Sequence, residues 1–213
     1  MTFNKSNLYE IEGEVKKYKK SQLLIVSKNQ TKKTITELLN LGYRFFGENR
    51  VQEAFNKFDQ EILENYQDIN LHLIGPLQSN KSSQALKIFD TIQTLDRKKI
   101  IKAIYNDINK AGKVRTKDFF IQVNIGKEDQ KSGVLPENVF EIYNYSKSLN
   151  LNIVGLMCIP PNDNNSKYYF EEMIKIKNNI NSNLKLSMGM SQDYSQALLC
   201  GSNLIRVGSK IFS

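Results

Sequence analysis

Hydrophobic positions along the chain alternate between two patterns. One is the short unbroken apolar run of a buried strand, and the other is the three- and four-residue spacing of an amphipathic helix. Residues 5–20 have helical spacing, and residues 23–28 begin with four consecutive apolar positions. The alternation continues to the end of the chain. It predicts eight strands, at residues 23–28, 43–47, 71–75, 90–95, 119–125, 153–158, 184–188 and 204–207.

Helical patterns separate these strands and complete the predicted architecture. They cover residues 31–41, 51–62, 82–87, 100–108, 139–149, 166–180 and 191–200. Strict alternation favours parallel strands joined by crossover helices, and no linker or composition break interrupts it. We therefore expect residues 1–213 to form a single α/β domain, a (β/α)8 TIM-type barrel. An open doubly wound sheet is the alternative, but no Gly-x-Gly-x-x-Gly turn follows the first strand.

The last predicted strand has no full helix after it, because the chain ends six residues beyond Val207. A barrel strand without a covering helix leaves apolar surface exposed to water. We expect the extra N-terminal helix, residues 5–20, to cover this gap.

Composition narrows the possible partners and compartment. The net charge is +8, yet the 30 Lys and Arg residues are scattered along the chain, which favours solvated surfaces over a nucleic-acid-binding stripe. Two distant cysteines do not suggest a metal cluster and are typical of a reducing compartment. No apolar run approaches the ~20 residues of a membrane span, and no signal-peptide core is visible. We expect a soluble cytoplasmic protein.

Candidate chemistry collects at the predicted carboxyl ends of the strands, where barrel enzymes hold their active sites. Lys28 closes the first strand. A lysine places one compact amine on a flexible stem, and that amine attacks carbonyl groups when it is neutral. Considered alone, Lys28 is better interpreted as an ordinary lysine that reaches water from a strand end, as most lysines in a chain with 30 Lys and Arg residues do.

Small polar turns follow the seventh and eighth strands. Met190 and Ser191 lie at a predicted helix start, and Gly208 and Ser209 follow the last strand. Backbone N–H groups at such positions favour anions, and these two loops commonly bind phosphate in barrels. The alternative is that Ser191 only caps the following helix, with Asp193 complementing its dipole.

An amine and a phosphate site across one barrel mouth match the two ends of pyridoxal 5′-phosphate. Arg206 lies two residues before Gly208 and so shares its face, which suggests a contact with the pyridine nitrogen; a surface ion pair is the competing interpretation. Asn49 ends the second strand beside Lys28, and either faces the cofactor or caps the next helix. The single histidine, His72, is expected to be a packed or hydrogen-bonded core residue near the start of strand three.

Seven sequence blocks, in order along the whole chain, resemble the pyridoxal-phosphate homeostasis proteins. They are LIVSK (24–28), FGENRVQE (46–53), HLIGPLQSNK (72–81), VNIGKEDQKSG (123–133), GLMCIP (155–160), SMGMSQD (187–193) and RVGSKIF (206–212). The longer blocks are highly specific. The chain departs from the family in having Ser209 where threonine is commoner and in ending at Phe212-Ser213 instead of Phe-Gly and a short tail.

The resemblance implies a barrel like the N-terminal domain of alanine racemase that holds pyridoxal 5′-phosphate as a Schiff base on Lys28. It assigns the phosphate to Ser191 and the Gly208-Ser209 pair, and the ring nitrogen to Arg206. It also implies a non-catalytic monomer that serves intracellular vitamin B6 balance, with pyridoxal-phosphate-dependent apo-enzymes as possible recipients. A racemase is the alternative, but the C-terminal β-domain that supplies the second acid/base group in alanine racemases is not found in these 213 residues.

Overall fold

Eight parallel strands close into a barrel in the computed structural model, which describes residues 3–213. The strands follow one another around the barrel in chain order, and β8 pairs with β1. The (β/α)8 prediction is confirmed. The strands are β1 (Gln22–Val26), β2 (Phe45–Glu48), β3 (Asn70–Leu73), β4 (Thr91–Leu95), β5 (Asp118–Val123), β6 (Ile153–Cys158), β7 (Lys185–Ser187) and β8 (Leu204–Val207).

Helices surround the barrel on the outside. They are α1 (Lys5–Lys16), α2 (Lys32–Asn40), α3 (Val51–Lys57), α4 (Gln60–Asn65), α5 (Ser82–Ile88), α6 (Lys98–Ala111), α7 (Val139–Ser148), α8 (Ser166–Ile180), α9 (Tyr194–Leu199) and α10 (Ser209–Phe212). Short 3-10 turns precede α5 and α7, at Ser79–Lys81 and Pro136–Asn138. Most predicted elements lie within a few residues of these bounds.

Strand register separates the side chains that face the helices from those that face the barrel axis. Leu24 of β1 pairs with Arg206 of β8, and Leu204 on the same face of β8 pairs with Ser187 of β7. Side chains on this face point inward, because the neighbouring positions Ile25 and Val207 join the core beneath the helices. The inward face forms a separate small apolar cluster of Phe120, Met157 and Leu204.

The N-terminal helix α1 covers the end of the barrel series, as expected. Leu8, Ile11 and Val15 are buried along one face of α1. The helix contacts both β1 and α10. Two hydrogen bonds fasten this junction, from Asn4 N–H to the Ile211 carbonyl and from the Asn7 amide to the Lys210 carbonyl, each 2.8 Å long. The short helix α10 was not predicted.

The helix predicted over residues 51–62 is two helices, and this prediction was wrong in detail. Helix α3 ends at Lys57, and Phe58 leaves the helical conformation with φ −104° and ψ 61°. Asp59 then starts α4, accepting a hydrogen bond from the Ile62 N–H at 3.2 Å. An aspartate that caps a new helix competes with continuation of the old one. Helix α1 also ends at Lys16, earlier than the predicted residue 20.

Two findings, on membrane-spanning helices and on metal-binding clusters, apply to residues 3–213. None of the helices in this part of the chain is long and apolar enough to cross a bilayer. The same residues contain no group of three or more histidine, cysteine, aspartate or glutamate side chains able to hold a metal ion. Cys158 and Cys200 are both free thiols, and burial raises the pKa of the Cys158 thiol to about 12.

Candidate functional site

Lys28 lies at the carboxyl end of β1, in the tight turn that leaves the barrel. The turn is closed by a 3.1 Å hydrogen bond from the Gln30 N–H to the Ser27 carbonyl. Asn29 has φ of 62°, the left-handed conformation that a type II turn requires at its third residue and that asparagine tolerates. The Lys28 side chain is exposed and makes no hydrogen bond or ion pair with any described residue. Its amine is therefore available for chemistry.

Strand alternation directs Lys28 toward the barrel mouth. Leu24 faces the barrel axis because its register partner is Arg206, and successive side chains of a strand alternate between faces. The ladder continues past β1 through a 3.0 Å hydrogen bond from the Ser27 N–H to the Gly47 carbonyl. Lys28 is four residues beyond Leu24 and shares its parity, so it belongs to the inward series at the top of the barrel.

Three buried or half-buried charged residues, Glu48, Glu53 and Lys57, surround the backbone of this turn; we call them the Lys57 cluster. The Lys57 ammonium lies 2.6 Å from Glu48 Oε1 and 2.8 Å from Glu53 Oε1. It also donates to the Ser27 carbonyl at 2.7 Å. The Lys57 side chain is 6% exposed and that of Glu48 0%. Sequence analysis missed this cluster, because α3 gives Lys57 the spacing of an ordinary surface lysine.

In the Lys57 cluster, burial and hydrogen bonding have opposite effects on the pKa values of the two carboxyl groups. Burial raises the pKa of the Glu48 carboxyl, although hydrogen bonds from Lys57 and Ser27 act in the opposite direction. Burial also disfavours ionised Glu53, but hydrogen bonds from Lys57 and the Asn29 N–H outweigh it and lower the pKa of Glu53. Glu53 is thus held ionised next to the Lys28 turn.

The loops after β7 and β8 meet, as the phosphate-site prediction requires. The Lys210 N–H of α10 lies 3.4 Å from Ser191 Oγ, and the Arg206 N–H donates to the Gly189 carbonyl at 2.9 Å. Gly189 has φ of 96°, a conformation that favours glycine and turns the chain out of β7. The Ser191 hydroxyl therefore lies beside the start of α10.

The structure changes the interpretation of Ser191 and of Met190 in the loop after β7. Helix α9 begins at Tyr194 with Asp193 as its N-cap residue, so Ser191 does not cap it and that alternative is wrong. Asp193 Oδ1 instead accepts the Met190 N–H at 2.6 Å. The backbone donor of Met190 is therefore already used within the loop.

Gly208 and Ser209 form the start of α10 beside β1. A Cβ added to Gly208 would lie 2.9 Å from the Val26 carbonyl oxygen, so only glycine permits this close approach of the two chain segments. The Ser209 side chain is exposed and hydrogen-bonds to no described residue. The Ser209 hydroxyl is therefore an unengaged donor at the β8–β1 edge.

Arg206 is a buried cation inside the barrel, only 3% exposed. It donates from Nη1 to Ser187 Oγ at 2.7 Å and from Nη2 to the Cys158 carbonyl at 2.6 Å. It forms no ion pair with any of residues 3–213, so the surface-ion-pair alternative is wrong. Burial lowers the pKa of its guanidinium, and Asp193 opposes that effect through space. A buried charge held only by neutral groups points to a binding role.

A line of polar side chains continues inward from Arg206. Ser187 Oγ donates to Gln93 Oε1 at 2.6 Å, and the Gln93 amide lies 2.7 Å from His72 Nδ1. Burial lowers the pKa of His72 to about 3. His72 is thus a neutral, hydrogen-bonded core residue, as predicted, although it is the third of four residues in β3 and not at the strand's start.

Asn49 follows β2 directly and is half-buried beside the Lys28 turn. The backbone of Gly75 packs against it so closely that a Cβ there would lie 2.2 Å from the Asn49 carbonyl oxygen. Arg50, not Asn49, is the N-cap residue of α3, so the capping alternative is wrong. The structure leaves the Asn49 side chain without a described hydrogen-bond partner.

The candidate site therefore has three chemical parts at one end of the barrel. An exposed amine follows β1, and hydroxyl groups and backbone donors follow β7 and β8. A buried guanidinium on β8 reaches β7 and β6 inside the barrel. This set suits a ligand with a carbonyl group, an anionic group and a hydrogen-bond acceptor.

Comparison with known proteins identifies the family. The profile of the family "Alanine racemase, N-terminal domain" matches residues 5–213. A pyridoxal phosphate homeostasis protein from Vibrio alginolyticus is 39% identical over 201 residues, which cover 90% of this chain and 85% of that protein. The chain belongs to the pyridoxal phosphate homeostasis protein family. A member of this family from Aquifex aeolicus is 35% identical over 90% of the chain and 86% of its own length.

Solved structures agree with this family assignment. PipY of Synechococcus elongatus, solved without pyridoxal phosphate, is 31% identical with a TM-score of 0.86, and covers 98% of this chain and 99% of its own. The form of PipY with pyridoxal phosphate bound has a TM-score of 0.83 at 30% identity, with the same coverage. Alanine racemase of Clostridium difficile is 12% identical with a TM-score of 0.72, which shows a shared fold, and this chain covers 56% of it.

Proposed function

We propose that this protein binds pyridoxal 5′-phosphate, with Lys28 as the covalent residue, and serves intracellular vitamin B6 homeostasis without catalysing a reaction. One observation carries the proposal. Lys28, the paired β7 and β8 loops and the unpaired buried Arg206 share one barrel end in a member of a family that includes a structure with this cofactor bound.

Lys28 supplies the covalent attachment. Its neutral Nζ adds to the aldehyde carbon of the cofactor, and loss of one water leaves a carbon–nitrogen double bond, the Schiff base. Exposure of Lys28 at the barrel mouth gives the amine direct access to solvent, into which the water leaves. The same exposure permits the reverse reaction and hence release of the cofactor.

Ser191, Gly208 and Ser209 hold the phosphate in this proposal. Charge-assisted hydrogen bonds to a phosphate are stronger than those to a neutral acceptor. Ser191 lies beside the start of α10, so its hydroxyl and that of Ser209 border the same space. Met190 shapes this loop through its bond to Asp193, and Asn49 borders the ring beside Lys28.

Arg206 donates a hydrogen bond to the pyridine nitrogen in this proposal. Pyridoxal phosphate supplies an electron sink whose strength grows when its ring nitrogen is protonated. Arginine stays protonated and only donates hydrogen bonds, so it leaves that nitrogen unprotonated. The electron sink is then weak, which favours storage of the cofactor over catalysis.

The wider assignments extend the proposal beyond the site. We infer a monomeric cytoplasmic protein that passes its cofactor to pyridoxal-phosphate-dependent apo-enzymes. The scattered positive charge supports a role without nucleic acid, and the two free cysteines support a reducing compartment.

Titration with pyridoxal phosphate tests the binding proposal. The native protein is expected to gain an absorbance band near ~420 nm, which belongs to the cofactor's Schiff base with an amine. Lys28→Ala should abolish the band, because it removes the amine that the proposal assigns to the aldehyde. An unchanged band in Lys28→Ala would show that another lysine carries the cofactor.

An amino-acid racemase is the second candidate, favoured by the shared fold with alanine racemase. Racemisation needs two acid/base groups on opposite faces of the substrate carbon. His72 is buried and neutral, and Arg206 weakens the electron sink, so we expect at most trace exchange of the α-hydrogen of any L-amino acid in deuterated water, followed by NMR. Rapid exchange that Lys28→Ala abolishes would make the protein an enzyme.

A further inference from the structure

The Lys57 cluster hydrogen-bonds to the peptide groups on both sides of Lys28, and we call this pair of contacts the grip. The Ser27 carbonyl belongs to the peptide group before Lys28, and it accepts the Lys57 ammonium at 2.7 Å. The Asn29 N–H belongs to the peptide group after Lys28, and it donates to Glu53 Oε1 at 2.5 Å. Because a hydrogen bond holds each flanking peptide plane, the backbone angles of Lys28 and the direction of its Cα–Cβ bond are restricted as well.

A third contact ties this grip to the next strand. Ser27 Oγ donates to Glu48 Oε1 at 2.6 Å, and Glu48 is the last residue of β2. The Lys57 ammonium joins the two carboxylates at 2.6 Å and 2.8 Å, so the turn, the end of β2 and helix α3 form one hydrogen-bonded unit. Three of its bonds end on Ser27 or Asn29, the two neighbours of Lys28.

Burying charged groups has a high desolvation cost, which a role in stability alone does not explain. Glu48 Oε2 is buried without a hydrogen-bond partner, so the cluster is not optimised for pairing. A well-packed apolar group of the same volume is commonly as stabilising as a buried ion pair. A reactive amine on a flexible stem, in contrast, gains from a fixed base, because fewer conformations compete with the one that reaches its target.

We propose that Lys57, together with Glu48 and Glu53, is a positioning residue that aims Lys28 at the carbonyl carbon of its ligand. This inference rests on the proposed function of Lys28. The cluster touches neither the amine nor the ligand; it acts through the Ser27 and Asn29 peptide groups. Loss of Lys57 is therefore expected to weaken the covalent step and to leave the non-covalent fit of ring and phosphate intact.

The test compares Lys57→Met with a matched control, Arg115→Met. Arg115 donates to Asp90 Oδ2 and to the Ile69 carbonyl, both at 2.9 Å, so it also joins a carboxylate to a backbone carbonyl. It does so at the amino ends of the strands, away from Lys28. Each variant is titrated with pyridoxal 5′-phosphate and with pyridoxine 5′-phosphate, which has an alcohol in place of the aldehyde and cannot bond to an amine. Unfolding in urea is measured in parallel.

Lys57→Met should weaken apparent binding of pyridoxal 5′-phosphate about tenfold or more, and change binding of pyridoxine 5′-phosphate less than about twofold. Arg115→Met should change neither affinity, even where its loss of stability is similar. Should Lys57→Met fail to fold, Glu53→Leu replaces it, since Glu53 is partly exposed; its loss removes the acceptor of the Asn29 N–H and one of the two ion pairs of Lys57. The same selective weakening, in smaller degree, is expected there.

Equal weakening of both ligands, or an effect of Arg115→Met as large as that of Lys57→Met, would show that the cluster acts only on stability. Unchanged binding of pyridoxal 5′-phosphate in the folded variants would equally overturn the positioning role. These results differ from failure of the proposed function, which appears in the native protein as absence of the band or in Lys28→Ala as its persistence.

Discussion

Arg206 shows how a barrel interior can hold a cation on neutral acceptors, with no ion-pair partner among residues 3–213. Its two described hydrogen bonds end on the Ser187 hydroxyl and the Cys158 carbonyl, both neutral acceptors. Ser187 is in turn fixed by Gln93, so the guanidinium plane has little freedom to rotate. A rigid donor that is already oriented loses little entropy on binding, which is what recognition of a ring nitrogen requires.

His72 ends this polar line and gives the fold a dependence on pH. Burial holds its pKa at about 3 in the folded protein, against about 6.5 in an unfolded chain, so the unfolded state binds more protons between these values. The contribution of neutral His72 to stability is complete above pH ~6.5 and is lost as the pH falls toward 3. The free energy of unfolding should fall by up to about 1.4 kcal/mol per pH unit through this window.

Urea unfolding at several pH values between 4.5 and 7.5 measures that slope. His72→Gln cannot titrate and retains a side chain that can bond to Gln93, so its slope should be flatter than that of the native protein. Parallel curves for the two proteins would mean that His72 is accessible to protons in the folded state.

Ser191 and Ser209 are expected to share the phosphate. Charge-assisted hydrogen bonds contribute roughly 1.5–3 kcal/mol each, so Ser191→Ala/Ser209→Ala should weaken cofactor affinity tens-fold or more and exceed either single change. Isothermal titration with pyridoxal 5′-phosphate measures this. Ser6→Ala, at an exposed position of α1, serves as the matched control and should bind normally. Native affinity in the double variant would place the phosphate elsewhere.

At the scale of elements, hydrophobic period predicted type and order well but not every boundary. Strands β6 and β8 have the predicted bounds, because Asn152 and Asn203 precede them and the chain-breaking residues Pro160 and Gly208 follow closely. The break between α3 and α4 was missed, since Phe58 continues the apolar spacing and only the capping role of Asp59 ends the helix. Four-residue α10 is too short to show a period.

Helix α1 takes the place of a long helix after β8. Weaker packing of α1 against the barrel should therefore lower the free energy of unfolding. Ile11 is fully buried on the face that packs toward β1 and α10. Ile11→Ala should lower the free energy of unfolding by about 2–5 kcal/mol, whereas Ser6→Ala should change it by less than about 0.5 kcal/mol. Chemical denaturation gives both values. Similar small losses in the two variants would mean that α1 is not part of the cooperative core.

At the scale of the whole molecule, the barrel explains which site residues sequence could reveal. Lys28 and Ser209 follow strands and Arg206 is the next-to-last residue of β8, so a barrel brings them to one end without further information. The Lys57 cluster was not predictable in the same way. Lys57 is one lysine among many on a helix, and only the packing of α3 against the β1 turn shows that its ammonium is buried.

The hydrogen bond between Ser187 and Gln93 was likewise not predictable from the sequence. Gln93 lies in β4 and Ser187 in β7, three strands apart around the barrel, and their contact exists only once the barrel closes. Sequence patterns report burial and period, whereas a hydrogen bond across the interior depends on shear and register. The chemistry of the site was therefore visible in the sequence, and the groups that orient it were not.

Borohydride reduction tests the central claim, that Lys28 is the covalent residue, most directly. The native protein is loaded with pyridoxal 5′-phosphate, reduced, digested and analysed by mass spectrometry, with Lys28→Ala treated in parallel. We predict that the modified peptide from the native protein carries the cofactor on Lys28 and that Lys28→Ala yields no stoichiometric modification. Modification of a different lysine in the native protein, with Lys28 recovered unchanged, would contradict the account.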